Sequence, residues 1–304
     1  MSKSLDRLSL LETFVRISDR GSISAAARDL GLSQASVSRQ LRELEDRMGA
    51  QLIRRTTHSL ALTPAGHAAL ADARALIADW GAFEERHAAR GDVVRGPLKV
   101  VAPVALGQTH LVDMAARFLM DHPNVTLEWE LEDDPIRFAE RGCDCWIKIG
   151  PVPDDTLIVR TMGRVERLIV AAPEVVQTRL MEPTALQAVP FIALAPFEGG
   201  SLTLTNREGT AVSVSLRPRM MTNNIVSILR AVRLGTGAAI MPTWFVADDL
   251  RDGRLIDVLQ GWRASDLSIS AAFLPARNQP KRLEAFLQCL CEGIQGIPRL
   301  SSQT

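Results

Sequence analysis

Apolar residues in the first fifth of the chain recur at the spacing of short amphipathic helices. In residues 23–30 the apolar positions are separated by three, one and three residues, which is one stripe of a 3.6-residue helix. In residues 34–48 the apolar set is Val37, Leu41, Leu44 and Met48. Gly31 stands between these segments, where a helix end favours positive φ, and Ser33 is placed to cap the second helix. The pattern predicts two helices joined by a tight turn.

The polar face of the second predicted helix is rich in amide, hydroxyl and guanidinium groups. Gln34 and Ser36 lie in its first turn, and Arg39 and Arg42 follow on the side opposite the apolar stripe. In the major groove Gln pairs with adenine, Arg pairs with guanine, and Ser pairs with either. This arrangement is typical of a DNA-reading helix-turn-helix. An ordinary amphipathic hairpin with solvated charges is the alternative interpretation of the same spacing.

Two short extended segments, residues 50–54 and 59–62, follow the helix pair and enclose a basic turn. They predict a β-hairpin wing whose tip meets phosphates or the minor groove. The predicted DNA contacts of the helix and the wing are Ser33, Gln34, Ser36, Ser38, Arg39, Arg42, Arg54, Arg55, Thr56, Thr57 and His58.

The segments LLETFVRISDRGSISAAARDLGLSQASVSRQLRELEDRMG and QLIRRTTHSLALTPAG resemble the N-terminal region of the LysR-type transcriptional regulators. The resemblance runs without a gap through the first 66 residues. It implies an all-α winged helix-turn-helix domain at residues 1–63 that binds double-stranded DNA. The family commonly has Arg where this chain has His58, and an unperturbed His is mostly uncharged near neutral pH. The resemblance therefore implies a weaker contact at the wing tip.

Residues 64–91 begin with Pro64 and are rich in helix formers, which predicts a long linker helix. Its apolar positions step by four and three residues in turn, as in a heptad seam. The predicted dimerisation residues on this seam are Ala69, Ala73, Leu76, Trp80 and Phe83. A single helix packed on its own domain is the alternative. The resemblance implies a homodimer, or a homotetramer built from dimers, in which paired heads gain affinity through effective concentration.

The remainder of the chain alternates between strand and helix patterns. Expected strands are residues 98–102, 125–131, 143–149, 157–162, 168–172, 238–241 and 267–274, and expected helices are residues 110–119, 135–141, 225–234 and 281–292. The alternation predicts an α/β architecture with mostly parallel sheets. The segments GPLKVVAPVALGQTHL, RGCDCWIKIG and AVRLGTGAAIMPTWFVADDLRDGRL resemble the effector domain of the same family. That resemblance implies a two-lobed, periplasmic-binding-protein-like domain at 92–304, with lobe one at 97–164 plus 267–304 and lobe two at 165–266.

Sheets of this kind bind ligands at the carboxyl ends of their strands. The predicted effector contacts are Ala102, Pro103, Val104, Lys148, Gly150, Ala195, Phe197, Asn223 and Gly237. The helix start after Ala102 offers backbone N–H groups to an anion. Relatives commonly have Arg where this chain has Lys148, and the loop after the first strand lacks their common Ser or Thr. We therefore expect a less polar effector, such as a small aromatic or short-chain organic acid.

Charge is distributed unevenly although its sum is zero. Residues 1–63 hold 10 Lys and Arg against 7 Asp and Glu, whereas the rest hold 25 against 28. This mildly basic head suits a site-specific binder and is too weak for a protein that coats DNA through phosphate neutralisation. Hydrophobic residues at 46% and charged residues at 23% are typical of a globular protein.

No apolar run is long enough to span a bilayer, and the N-terminal MSKSLDRL lacks a signal peptide's hydrophobic segment. We therefore expect a cytoplasmic protein without a membrane partner. The four cysteines form two pairs, Cys143 with Cys145 and Cys289 with Cys291, and neither pair has the two-residue gap of common zinc or redox motifs. We expect them to pack as small hydrophobes, with no metal and no cofactor.

The sequence is compatible with three functions. The first is a transcription regulator whose effector closes a cleft and changes the angle between paired heads, with RNA polymerase as a partner by family resemblance. The second is an enzyme that uses the α/β half, although no G-x-S-x-G, Walker, G-x-G-x-x-G or H-E-x-x-H motif supports it. The third is an architectural DNA-binding protein without a ligand, which would not need so large a second half.

Overall fold

The computed structural model describes residues 6–55, 60–87, 93–276, 279–297 and 300–301. Its N-terminal head contains the helices α1 (Arg7–Arg20), α2 (Ile23–Asp29) and α3 (Gln34–Met48), and the strands β1 (Ile53–Arg55) and β2 (Leu60–Leu62). Gly31 has φ of 63° between α2 and α3, the left-handed conformation that the tight turn requires. The predicted helix pair is therefore present.

Three helices enclose the core of the head. Phe14 of α1 and Val37 of α3 are fully buried, and Leu41 and Leu44 pack in the same cluster. Met48, which the apolar spacing places inward, is 49% exposed because it lies in the last turn, beyond the reach of the core. Buried Gln40 instead accepts a hydrogen bond from Thr13, which ties α3 to α1.

The wing is pinned to the helices by side-chain hydrogen bonds. β1 and β2 pair antiparallel, with Arg54 opposite Ala61. The carboxylate of Glu45 on α3 accepts the backbone N–H groups of Leu52 and Ile53 at 2.8 and 3.1 Å. These bonds fix the angle between the wing and α3. The predicted wing-tip residues Thr56, Thr57 and His58 lie outside the described residues.

The linker helix α4 (Pro64–His87) packs its first half against the head. Ala69 and Ala73 are buried in the head core of their own chain, so the prediction that they belong to a dimer seam is wrong. The apolar heptad spacing continues along α4 because the first half of the helix packs on the head and the second half extends beyond it. Leu76, Trp80 and Phe83 are 55, 47 and 45% exposed on the second half of the helix.

The α/β body follows the linker. Its strands are β3 (Gly96–Ala102), β4 (Val125–Leu131), β5 (Cys145–Ile149), β6 (Ile158–Ala171), β7 (Phe191–Leu194), β8 (Ser201–Asn206), β9 (Ala211–Ser215), β10 (Pro218–Thr222), β11 (Ala238–Pro242), β12 (Ile256–Asp257), β13 (Trp262–Phe273) and β14 (Leu300–Ser301). Its helices are α5 (Val104–Leu106), which continues through a π-helical turn (Gly107–Leu111) into α6 (Val112–Asp121), then α7 (Phe138–Arg141), α8 (Ile225–Arg233), α9 (Ala247–Arg251) and α10 (Lys281–Gln295). Short 3₁₀ turns lie at Pro183–Ala188 and Glu198–Gly200. None of the helices in the described ranges has the length and apolarity needed to cross a bilayer.

The sheet is mixed, which corrects the expectation of mostly parallel sheets. β3 pairs parallel with β4 and β5, and β7 pairs parallel with β10 and β11. Between these two parallel groups run the long strands β6 and β13, which pair antiparallel with each other. The two strands expected at 157–162 and 168–172 are the single strand β6. The predicted lobe boundaries at 164/165 and 266/267 fall inside β6 and β13.

Each lobe has its own apolar core. In lobe one, α6 and α10 cover one face of the sheet, and Phe118 meets Phe286 edge to face with ring centroids 5.4 Å apart. In lobe two, Ile228 and Val232 of α8 pack on Met241 and Ile192 of the sheet. The two lobes touch at the π-helical turn, where His110 meets Trp244 of lobe two at 5.4 Å between ring centroids.

The head also contacts lobe one of the same chain. Arg74 on α4 pairs with Asp19 on α1, and its Nη2 donates to the carbonyl of Glu140 on α7 at 3.4 Å. His67 Nδ1 lies 3.1 Å from Glu140 Oε1. A Cβ on Gly142, which has φ of 65°, would collide with the Arg74 guanidinium. Arg74 of the linker helix therefore contacts both the head and lobe one.

Candidate DNA interface and effector site

The start of α3 is fixed by a serine cap. Ser33 Oγ accepts the backbone N–H of Ser36 at 3.1 Å, and the two hydroxyl oxygens lie 2.9 Å apart. A side-chain oxygen at this position satisfies one of the orphan N–H groups of the first turn. Ser33 thus positions the first turn, and Gln34 projects from it as an exposed amide.

Two guanidinium groups follow one turn apart on the exposed side of α3. Arg39 and Arg42 are exposed, and within the described residues neither forms an ion pair or a hydrogen bond. Ser38 is half-buried beside them. Unpaired Arg side chains on a helix held by buried contacts have the donors that the guanine edge and DNA phosphates accept.

The wing adds a third exposed cation. Arg54 lies on β1 and is exposed. Arg55 ends the same strand, and its side chain lies outside the described set, as do Thr56, Thr57 and His58. The structure thus brings the α3 residues together on one helix and places the described part of the wing close behind it through Glu45.

In lobe one, the predicted effector residues converge at the carboxyl end of β3. Ala102 and Pro103 are buried, and the backbone N–H of Val104 donates to Asp133 Oδ1 at 2.9 Å. Lys148 Nζ donates to the backbone carbonyl of Asp133 at 2.9 Å. Lys148 also lies 5.6 Å from the ring centroid of Trp146. Three separate segments of lobe one therefore meet around Asp133.

Asp133 occupies the position at which sequence analysis placed an anionic ligand. Burial raises the pKa of its carboxyl, while the Val104 N–H and Lys148 act in the opposite direction. Burial lowers the pKa of Lys148, against the pull of the neighbouring carboxylates. Glu132 and Asp134 flank Asp133, so acidic groups outnumber the single amine at this end of the cleft. The helix start is already satisfied by a carboxylate of the protein.

Lobe two reaches this cluster through a loop residue. Asn223 Nδ2 donates to Asp134 Oδ2 of lobe one at 3.3 Å. The next residue, Asn224, caps α8 by accepting the N–H of Ser227 at 3.0 Å. Ala195 N donates to the carbonyl of Thr222 at 2.8 Å, which keeps the end of β7 beside Asn223. Ala195 and Asn223 thus lie at the expected edge of the sheet.

Two predicted effector residues lie elsewhere. Gly237 precedes β11 at the amino end of the strand, and a Cβ there would lie 2.4 Å from the carbonyl oxygen of Pro190. This glycine allows a close backbone approach and does not face the cleft. Phe197 packs against the apolar core of lobe two, with its ring centroid 6.0 Å from that of Phe191. Gly150 remains near the cleft, where its N–H donates to Ser268 O at 2.8 Å.

Sequence reasoning missed Asp133, Asp134 and Glu45. Asp133 and Asp134 follow an ordinary alternating strand and contact residues 29 and 89 positions away in sequence. Glu45 lies within α3 and accepts N–H groups from residues seven and eight positions further along the chain. The run Glu132-Asp133-Asp134 directly after the alternating strand β4 was the one available signal, because it also ends at a carboxyl edge.

The cysteines are not arranged as a reactive site. Cys143 and Cys145 are buried, and burial raises the pKa of Cys143 to about 12. Cys289 and Cys291 are half-buried on α10, and burial raises the pKa of Cys289. Thiols of this kind hold little thiolate at neutral pH. In the ranges the structure describes, His, Cys, Asp and Glu side chains form no group that could hold a metal ion.

Two family models match successive parts of the chain. Residues 8–67 match the model described as bacterial regulatory helix-turn-helix protein, lysR family, and residues 91–295 match the LysR substrate binding domain. The HTH-type transcriptional regulator PtxR of Pseudomonas aeruginosa is 29% identical over 306 residues, with 98% of each chain covered. YhjC of Escherichia coli, an uncharacterized HTH-type transcriptional regulator, is 28% identical, with 94% of this chain and 97% of that protein covered.

Solved structures share the fold over nearly the whole chain. A full-length variant of OxyR from Pseudomonas aeruginosa aligns with a TM-score of 0.74 at 15% identity and covers 99% of both chains. The family matches together span most of the sequence and cover both the helix-turn-helix and the α/β body. The chain therefore belongs to the LysR family of transcriptional regulators, with an N-terminal DNA-binding domain and a C-terminal effector-binding domain.

Proposed function

We propose that Gln34, Arg39 and Arg42 on α3 read the operator, while Ser33 and Ser36 hold the first turn and the wing contacts the backbone through Arg54. The observation that carries this assignment is the pair of exposed guanidinium groups, unpaired within the described part of the chain, on a helix whose opposite face is buried. In our assignment residues 1–63 form the head, 64–91 the linker and 92–304 the effector domain. The protein acts on chromosomal DNA in the cytoplasm.

Selection of genomic fragments by the purified full-length protein tests the DNA assignment. Bound fragments are sequenced and compared with fragments bound by a variant that lacks both arginines, Arg39→Ala/Arg42→Ala. We expect the native chain to enrich a shared, roughly two-fold symmetric sequence and the variant to lose that enrichment. Equal enrichment by both proteins would show that other residues read the operator.

The effector site of this proposal lies between the lobes, among Val104, Lys148, Asp133 and Asn223. The hydrogen bond from Asn223 to Asp134 crosses from one lobe to the other, so a molecule inserted there changes how the lobes meet. A ligand shifts the regulator only if it binds one lobe arrangement better than the other. RNA polymerase contact then depends on how the paired heads hold the DNA.

The charge of this site argues for an effector without a net negative charge, in place of the small acid expected from sequence. An acid would meet the carboxylates of Asp133 and Asp134 and would have to displace Asp133 from Val104 N–H. A thermal-shift screen of small carboxylic acids beside their amides and amines tests this, because a bound ligand raises apparent stability. We expect the amides or amines to stabilise the native chain. Stabilisation by acids, unchanged in Asp133→Asn, would restore the small-acid effector.

Dimerisation through the exposed half of α4 completes the proposed mechanism. Leu76, Trp80 and Phe83 present an apolar edge there, and the rings of Trp80 and Phe83 stack with centroids 5.5 Å apart. Two chains joined along this edge would place two heads on one duplex, as dimers or as tetramers built from them. The enzyme and architectural hypotheses have no comparable support, since the family matches span both halves of the chain.

A further inference from the structure

A cavity on lobe two, away from the effector cleft, is lined by three arginines. Its volume is about 710 Å³, within the range of small-molecule sites. Arg179, Arg207 and Arg263 line it together with polar residues that include Asn206 and Ser265. No part of the DNA-binding or effector mechanism derived above uses these side chains.

The three arginines come from separate segments that backbone hydrogen bonds hold together. Leu180, next to Arg179, donates its N–H to Val258 O at 2.8 Å. Asn206, next to Arg207, is the register partner of Trp262 in the pairing of β8 with β13. Arg263 Nη1 donates to the carbonyl of Trp262 at 2.8 Å. The walls of the cavity are therefore fixed before any ligand arrives.

Charge within the cavity is only partly compensated. Arg263 Nη2 pairs with Asp257 at 2.9 Å. Asp266, the other carboxylate of the lining, acts electrostatically on Arg167, whose Nε donates to Ser265 O at 2.8 Å. Arg179 and Arg207 form no ion pair or hydrogen bond with the described part of the chain. Two guanidinium groups thus line the cavity without a partner among the described residues.

We propose that this cavity binds a small polyanion, a molecule with phosphate or multiple carboxylate groups, as a second ligand site in addition to the effector cleft. Guanidinium groups bind such oxygens in bidentate geometry, and the planar fork of an arginine loses less entropy per hydrogen bond than a lysine would. The concave shape favours a small molecule over the extended surface of a nucleic acid.

Calorimetric titration of the full-length protein at constant ionic strength tests the site, with pyrophosphate and citrate as the probes. We expect the native chain to bind at least one probe, and Arg179→Ala and Arg207→Ala each to weaken that binding about tenfold or more, since each removes charge-assisted hydrogen bonds. Both side chains are exposed and unpaired in the described structure, so neither substitution threatens the fold. Binding of pyrophosphate alone would indicate recognition of phosphate groups, and binding of citrate alone would indicate recognition of carboxylate groups.

Arg217→Ala is the matched control, because Arg217 is an exposed arginine of the same lobe outside the cavity. It should leave probe affinity unchanged. An equal loss in all three variants, or no binding by the native chain, overturns the proposal. So does weaker DNA binding by the Arg179 and Arg207 variants without any small-anion binding, because these arginines would then contact phosphates of DNA. Operator selection by the native chain is measured separately and does not depend on this result.

Discussion

Single arginines on the head differ in what they contribute to DNA binding. Arg39 projects from α3 and Arg54 from the wing, and both are exposed. We predict that Arg39→Ala reduces the preference for the selected operator by about 1–3 kcal/mol, because a bidentate base contact is lost. Arg54→Ala should weaken binding to operator and scrambled duplex alike and lower the salt slope by about one. Anisotropy titrations of both duplexes at several salt concentrations measure this, and equal loss of specificity in both variants would contradict it.

A buried carboxylate links stability to pH. The Asp249 side chain is 1% exposed and pairs with Arg233 Nη2 at 2.6 Å and with Arg254 Nε at 2.7 Å. Burial alone would raise the pKa of Asp249, but the two guanidinium groups outweigh it and the pKa is lowered. The stabilisation is therefore complete above the unfolded pKa of about 3.9 and is lost as pH falls through the lower folded value.

We predict that Asp249→Asn lowers the free energy of unfolding by about 1–3 kcal/mol at pH 7. The difference between the native chain and the variant should shrink below about pH 4, because Asp249 is then protonated first in the unfolded chain and, at the lower folded pKa, also in the native state. Urea unfolding at pH 7 and near pH 3 measures the difference. A gap of the same size at both pH values would show that Asp249 acts through packing and not through its charge. Asp248→Asn is the control, since Asp248 is 73% exposed.

At the scale of elements, we propose that the exposed half of α4 pairs two chains. We predict that Trp80→Glu converts the dimer to a monomer, because it buries a charge in an apolar contact. Light scattering gives the mass, and Ala68→Glu, which adds the same charge at an exposed position of α4, should leave the mass unchanged. An unchanged mass for Trp80→Glu would place the dimer contact elsewhere.

The sequence predicted elements wherever their own pattern determined them. The cap at Ser33, the turn at Gly31 and the strand β4 depend on local chemistry, and the structure has them as expected. The heptad steps of α4 show that apolar positions repeat, but they do not show which surface covers them. Ala69 and Ala73 are therefore covered by the head, whereas Trp80 is exposed.

The same limit applies at the carboxyl end of the sheet. Lys148 and Val104 were found from their positions after strands, yet Asp133, which joins them, depends on a contact 29 residues away from Val104. Gly237 was predicted as an effector contact from its place near the strand ends, although its role is a close approach to Pro190. Which end of a strand faces the cleft depends on the direction of the chain in the folded sheet. A single sequence does not give that direction.

At the scale of the whole molecule, two strands join the lobes, and Arg74 and His67 of the linker helix contact lobe one. β6 and β13 pass through both lobes and pair with each other, so rotation of one lobe bends both strands. Arg74 contacts α1 and α7 at once, which gives lobe one a direct path to the head. The alternation of strand and helix patterns predicted mostly parallel strands. That prediction was wrong for β6 and β13, because hydrophobic periodicity carries no information on strand direction.

Substitution of Arg74 tests whether its contact holds the head against lobe one. Its side chain is 11% exposed and fills the space above Gly142, whereas the His67–Glu140 pair beside it is 43 and 38% exposed. We predict that Arg74→Ala increases amide hydrogen exchange in α7 and at the end of α1, since it removes the packed contact between them. His67→Ala should change exchange little, because even a charged pair at so exposed a position contributes about 1 kcal/mol or less. Unchanged exchange in the Arg74 variant would mean that the head and lobe one are held by other contacts.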